Sequence, residues 1–540
     1  MSGAQKLAWK AATVVGVAAA MLTGAEPRKP KPDFQTSDRC VACHNGIQTP
    51  AGEDISIGFD WRATIMANSS RDPYWQSAVR REAIDHPEAK AEIEDECTVC
   101  HMPIVRYEAM LSGRKGEMFS HLPLDIDAKD GRKAMDGVSC SVCHQIGKDK
   151  LGTRASFNGR FVLDPPDASD KRPEYGPFDI NKGHTRIMRT SSEGYQPTKS
   201  DHIRSSELCA TCHTLYTSAL GPGGKVIGEL PEQMPYQEWL HSEYKEKKSC
   251  QDCHMPAVAD PVPITRVLGD PREGVKRHTF VGANFFMLRM LNRFRDDLAV
   301  SALSEELTRG ADKTVQYLQS QAALVSVEDV RVNSGRLEAS VTVDNLGGHK
   351  LPTAYPSRRA WLHVVARDRA GRVIFESGAL HADGSIEGND NDADPAKFEP
   401  HYNEIREAGQ VQIYEAVMAG QDGAVTTGLL TAVRYIKDNR LLPHGFDKAT
   451  AAPDVQVVGD AASDANFTAQ GDRVRYSVTV GNAEGPFTVE AELLYQPIGY
   501  RWANNLKKYD APEPKRFTGY YDSMGQATAT RIAGARRSAQ

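Results

Sequence analysis

No cysteine of this chain is left over for a long-range disulfide: all ten fall in close pairs before residue 254, and none follows. Cysteines so near each other rarely bridge, so a disulfide scaffold is excluded. Basic charge is not in excess, because 65 Lys and Arg stand against 71 Asp and Glu for a formal charge of −6. Nucleic-acid binding, which needs a basic face, is excluded with it. Past residue 26 there is no apolar run long enough to cross a bilayer, and no integral membrane segment is expected there.

What is present is C-x-x-C-H, five times. The copies are Cys40 to His44, Cys97 to His101, Cys140 to His144, Cys209 to His213 and Cys250 to His254, with pairs Cys40/Cys43, Cys97/Cys100, Cys140/Cys143, Cys209/Cys212 and Cys250/Cys253. Two thiols three positions apart can add to the two vinyl groups of one haem, and the following imidazole then lies under the iron as its proximal ligand. A structural zinc site would not place His directly after every pair, and a thioredoxin-like pair would occur once at a strand-to-helix turn. Five covalently attached haem c groups are expected, with His44, His101, His144, His213 and His254 as proximal ligands.

The N-terminus agrees with that chemistry, which takes place outside the cytoplasm. Lys6 and Lys10 form a basic start, Ala11 to Met21 an apolar stretch, and Thr23-Gly24-Ala25 a small-residue cleavage site. Residues 1–25 are therefore expected to be a cleaved signal peptide, with the product periplasmic or extracellular.

The expected fold class is α+β and multidomain: a loop-rich, mainly helical haem domain followed by an all-β, sandwich-like domain. The divisions are 26–283 for the haem domain, 284–323 for a helical hairpin closing it, and 324–540 for the β domain. Between Cys40 and His278 there is too little chain for a conventional core around each cofactor, so the haems themselves must form much of the interior. Tyr74 to Glu96 reads as helical with a break before Pro87. Asn284 to Phe294 and Ala302 to Ala323 read as longer helices with core-facing apolar stripes. Leu337 to Val343, Arg473 to Val480 and Phe487 to Tyr495 alternate as strands, and Trp361 to Ala366 is apolar enough for a buried one.

The sixth ligand of each iron decides between carrier and catalyst. His86, His121, His184, His202, His241 and His278 lie among the haem motifs, enough to cap five irons. His278 and His184, on turn-flanked loops, are the strongest of these; His86, His121 and His202 follow, and His241 is weakest.

The segments Asp136-Gly137-Val138-Ser139-Cys140, C-T-V-C-H-M-P from Cys97, C-Q-D-C-H-M-P from Cys250, Glu238-Trp239 and His278-Thr279-Phe280 resemble the multihaem c-type cytochrome family. That family contains electron carriers and haem-based nitrogen and sulfur oxidoreductases. The resemblance extends to Gly347-Gly348-His349-Lys350-Leu351-Pro352-Thr353, which is similar to a G-H-x-x-P-T loop and makes His349 a further candidate distal ligand. It also implies a His where this chain has Met66; Met66 is either a thioether ligand that raises one potential or core packing.

Glu387, Asn389, Asp390, Asp392 and Asp394 form an acidic loop, for which calcium binding and a solvated turn are the alternatives. His363, His381, His401 and His444 read as ordinary strand or loop residues. The expected function is electron transfer through mostly bis-His haems to redox partner proteins, with self-assembly through the β domain as a third class. The alternative is an oxidoreductase with one open haem acting on a small nitrogen or sulfur oxyanion or hydroxylamine, lined by groups such as Arg106, Tyr107 or Tyr216. All five motifs end in His, so none carries a Lys in its place.

Overall fold

The computed structural model describes residues 34–165 and 171–539; the expected signal peptide lies outside them. Each haem motif sits on one helical turn, which places thiols at i and i+3 and the imidazole at i+4 on a common side. The carrying helices are short: Ser37–Val41, Lys90–His101, Cys140–Gln145, Ser206–His213 and Cys250–His254. Local chemistry starts several of them. The Ser139 side chain accepts from Val142 N, and Ser249 forms a capping box with Asp252, each satisfying amides that a helix start leaves open. Asp72 caps the helix Pro73–Asp85 through Tyr74 N and Trp75 N at 2.8 and 3.2 Å. That helix stops at His86 before Pro87, and Lys90–His101 resumes after a single 3-10 turn, because the residue before proline avoids the helical region.

The helices Phe285–Arg293 and Ser304–Gln321 form where the apolar stripes place them. Beyond them, Ala323–Asn333, Arg336–Asn345, Asp472–Thr479 and Glu404–Ile405 form one sheet. A second contains Ile413–Tyr414, Arg359–Arg367, Phe487–Gln496 and Thr530–Ala539, with Val373–Ser377 paired to Arg359–Arg367. Leu337, Val341 and Val343 face Leu362, Val364, Val489 and Leu493 in a single apolar cluster, as inner faces of paired sheets do. Phe285, Leu288, Leu291 and Leu307 belong to the same cluster, so the helical hairpin packs on the sheets as well as on the haem segment.

Segregation of helix and strand is looser than the sequence pattern implies. Arg172–Gly176 pairs in parallel with Tyr195–Lys199, and Leu215–Leu220 pairs antiparallel with Val226–Gln233. Helices Tyr500–Leu506 and Pro512–Asp522 stand among the later strands. The second of these docks on Pro73–Asp85, where Arg80 meets Glu513 in two bonds of 2.8 Å and Tyr74 packs on Phe517. The described residues accordingly form one compact unit.

Candidate haem-binding site

All ten cysteines and all five motif histidines line one continuous cavity of about 1240 Å³. Its walls fit a large apolar group. The helix Lys182–Ser191 buries none of its residues against protein, yet turns Ile187 and Met188 into the cavity; an apolar face without a protein partner calls for an apolar ligand. The motifs are packed against each other. The thiol of Cys40 meets that of Cys140, Cys212 meets Cys100, and Cys209 meets Cys250. The spatial order is therefore first, third, fourth, with the second and fifth motifs both beside the fourth; Cys143 near Cys212 supplies the third-to-fourth link.

Four of the five motif histidines are held in the form that binds metal. Nδ1 of His44 donates to Ile264 O at 2.6 Å, His101 to Ser69 O at 3.0 Å, His144 to Tyr175 O and His254 to Val281 O at 2.5 Å. Such second partners fix the tautomer and leave Nε2 with its lone pair free. Burial pushes His101 and His254 down to about 4, keeping them neutral.

Two histidines from outside the motifs complete opposed pairs. His278 faces His144 with ring centres 6.3 Å apart and planes 18° from parallel; His349 faces His254 at 6.2 Å and 10°. Two metal–nitrogen bonds of about 2 Å plus the two ring radii add to roughly 6 Å, so each gap is sized for one metal ion. His278 Nδ1 donates to Lys276 O at 3.1 Å and His349 Nδ1 to Lys350 O at 3.0 Å, the same tautomer as their partners.

The loop carrying His349 is anchored by contacts that residue order does not show. Glu238 accepts from Lys350 N at 3.1 Å and from Thr353 Oγ1, and Arg440 pairs with it at 2.9 Å. Lys350 Nζ, fully buried, donates to Asp438 at 2.7 Å. Trp75 stacks flat on the His101 ring at 4.3 Å. The only legible hint was that Glu238-Trp239 and the Gly347 to Thr353 loop both carried the resemblance.

Other candidates stand elsewhere. His86, His121, His202 and His241 do not line the cavity. His202 Nε2 donates to Ile146 O at 2.8 Å and His86 Nε2 contacts Thr431 Oγ1. His184 does line it, but Asn181 Nδ2 donates to its Nδ1 at 2.6 Å, which leaves hydrogen on Nε2. Met66 lines the cavity. Arg106, Tyr107 and Tyr216 do not; Tyr74, Tyr355 and Arg358 do, and Arg358 bears electrostatically on His213. Among the described residues no imidazole stacks opposite His44, His101 or His213. The acidic loop does not converge on a cation, because Asp392 is taken up by buried Arg359 at 2.8 and 2.9 Å.

The chain is similar in fold to the penta-heme cytochrome c552 from Thermochromatium tepidum, with a TM-score of 0.52 at 15% identity, covering 94% of this chain and 100% of that one. No protein-family model and no curated protein matches the chain.

Proposed function

We propose that this protein is an exported c-type cytochrome whose five C-x-x-C-H motifs each attach one haem and which passes electrons to and from redox partner proteins. The observation that carries the reading is the pair of opposed imidazoles, His144 with His278 and His254 with His349, each arising from a motif histidine. Haem c, once attached, supplies reversible one-electron chemistry at iron. The ten cysteines tether it, the main-chain oxygens at Ile264, Ser69, Tyr175 and Val281 orient the proximal rings, and His278 and His349 close the third and fifth sites. Contact between successive motifs supports a conducting row from the first through the third to the fourth, where the second and fifth branch.

One observation favours the second reading, an oxidoreductase for a small oxyanion. Among the described residues no imidazole faces the fourth site, which shares the cavity wall with Tyr74, Tyr355 and Arg358, a cation and two hydroxyls suited to an anion. Intact mass of the purified protein tests the shared premise: five haem increments are expected, and the mass of bare polypeptide overturns it.

A further inference from the structure

Two carboxylates that take no part in the cavity, Asp464 and Asp472, have side chains 2% and 0% exposed. Among the described residues neither pairs with Lys or Arg; the ammonium of Lys448 is spent on the main-chain oxygens of Ala461 and Asp464. Their shared neighbour is His401, whose Nε2 lies 3.0 Å from Asp464 Oδ2 and 3.9 Å from Asp472 Oδ1. All three offer ligand atoms within 4.8 Å of one another. Buried like charges this close require a cation or a proton between them.

The hydrogen bonds decide which atoms are available. His401 Nδ1 accepts from Gln412 Nε2 at 2.8 Å and Asn439 Nδ2 at 3.1 Å. Both amides are oriented by their oxygens, which accept from Tyr402 N and Glu415 N. Amide nitrogen only donates, so hydrogen sits on His401 Nε2 and the ring serves Asp464 as a donor, leaving no lone pair for a soft metal. Asp472 Oδ2 accepts from Tyr414 and Gln412 at 2.8 and 2.9 Å. Its other oxygen, Oδ1, is buried without any partner and is directed into the cluster. The Asn403 amide meets both Asp464 oxygens at 2.7 and 2.6 Å. With its oxygen inward, Asn403 completes an all-oxygen set; with its nitrogen inward, it donates and the carboxylates must share a proton.

We propose that Asp464, Asp472 Oδ1 and the Asn403 amide oxygen hold one hard divalent cation of the calcium class, which prefers carboxylate and carbonyl oxygens. The cation fastens the segment 460–472 to residues 401–405, where Glu404–Ile405 pairs with Asp472–Thr479. The inference is independent of the haem reading.

The test uses the full haem-loaded chain, dialysed against metal-free buffer, with iron as the internal count in elemental analysis. One calcium per chain is expected, with a melting temperature that falls by several degrees in EGTA and recovers when Ca2+ is added. Asp472→Asn should lose the metal while Asp390→Asn keeps it. Absence of any non-iron metal together with a melting temperature indifferent to EGTA and Ca2+ overturns the proposal in favour of a shared proton; so does full metal retention in Asp472→Asn. Should that variant not fold, the two wild-type measurements decide alone.

Discussion

A histidine serves a metal only when its second nitrogen is already engaged and its ring faces the right way. His278 and His349 meet both conditions, each donating through Nδ1 to a main-chain oxygen and facing a motif ring. The sequence marked both, His278 from a turn-flanked loop and His349 from a resemblance. It could not reject His202, because nothing in residue order says that its Nε2 points to Ile146 O. Nor could it see that Asn181 imposes the opposite tautomer on His184. Replacing His278 or His349 by Met should raise one midpoint potential by on the order of 0.1 V, a fraction of the about 0.8 V range axial ligands command. Redox titration of each variant checks this, and an unchanged set of five midpoints would remove that histidine from the iron.

Periodicity made the regular elements readable. The alternation at Leu337 to Val343 became Arg336–Asn345, and the apolar run at Trp361 became the strand Arg359–Arg367, buried except at His363 and Arg367. The parallel pair Arg172–Gly176 and Tyr195–Lys199 escaped because Pro173, Gly176 and Pro197 are turn residues by composition, and only their mutual pairing makes them strands. The loop Gly347 to Thr353 was readable as a motif but its support was not, since Glu238, Asp438 and Arg440 lie far from it in sequence. Burial alone would raise Asp438, but Arg440 and Lys350 outweigh it and hold its carboxyl well below the usual range. A depressed carboxyl contributes stability above its unfolded value near 4 and loses it as pH falls through the folded value. Asp438→Asn should therefore cost about 3 kcal/mol at neutral pH, because it leaves buried Lys350 without its carboxylate and Arg440 with Glu238 alone. Its deficit in thermal unfolding should stay level from about pH 8 to 5 and narrow only below about pH 4. A deficit that vanished at pH 6 would contradict the assignment.

Across the molecule, the haem segment and the strands are interlocked. Glu82 accepts from Leu429 N and Leu430 N, Leu220 N donates to Leu430 O, and His349 reaches His254 from beyond residue 324. The cysteine count fixed the number of expected haems, whereas their spatial order came only from which thiols meet. That order puts the fourth motif at a junction, so Cys209→Ala with Cys212→Ala should lower the intact mass by one haem. Stopped-flow reduction should then keep the first and third haems together and set the second and the fifth each apart, in three kinetic groups; a single unchanged phase would contradict the branching.

The most direct measurement is low-temperature electron paramagnetic resonance of the ferric protein beside its His278→Ala and His349→Ala variants. The account predicts low-spin signals from at least two haem equivalents in the wild type, with one equivalent turning high-spin in each variant. A wholly high-spin wild type, or variants whose low-spin intensity does not change, would contradict it.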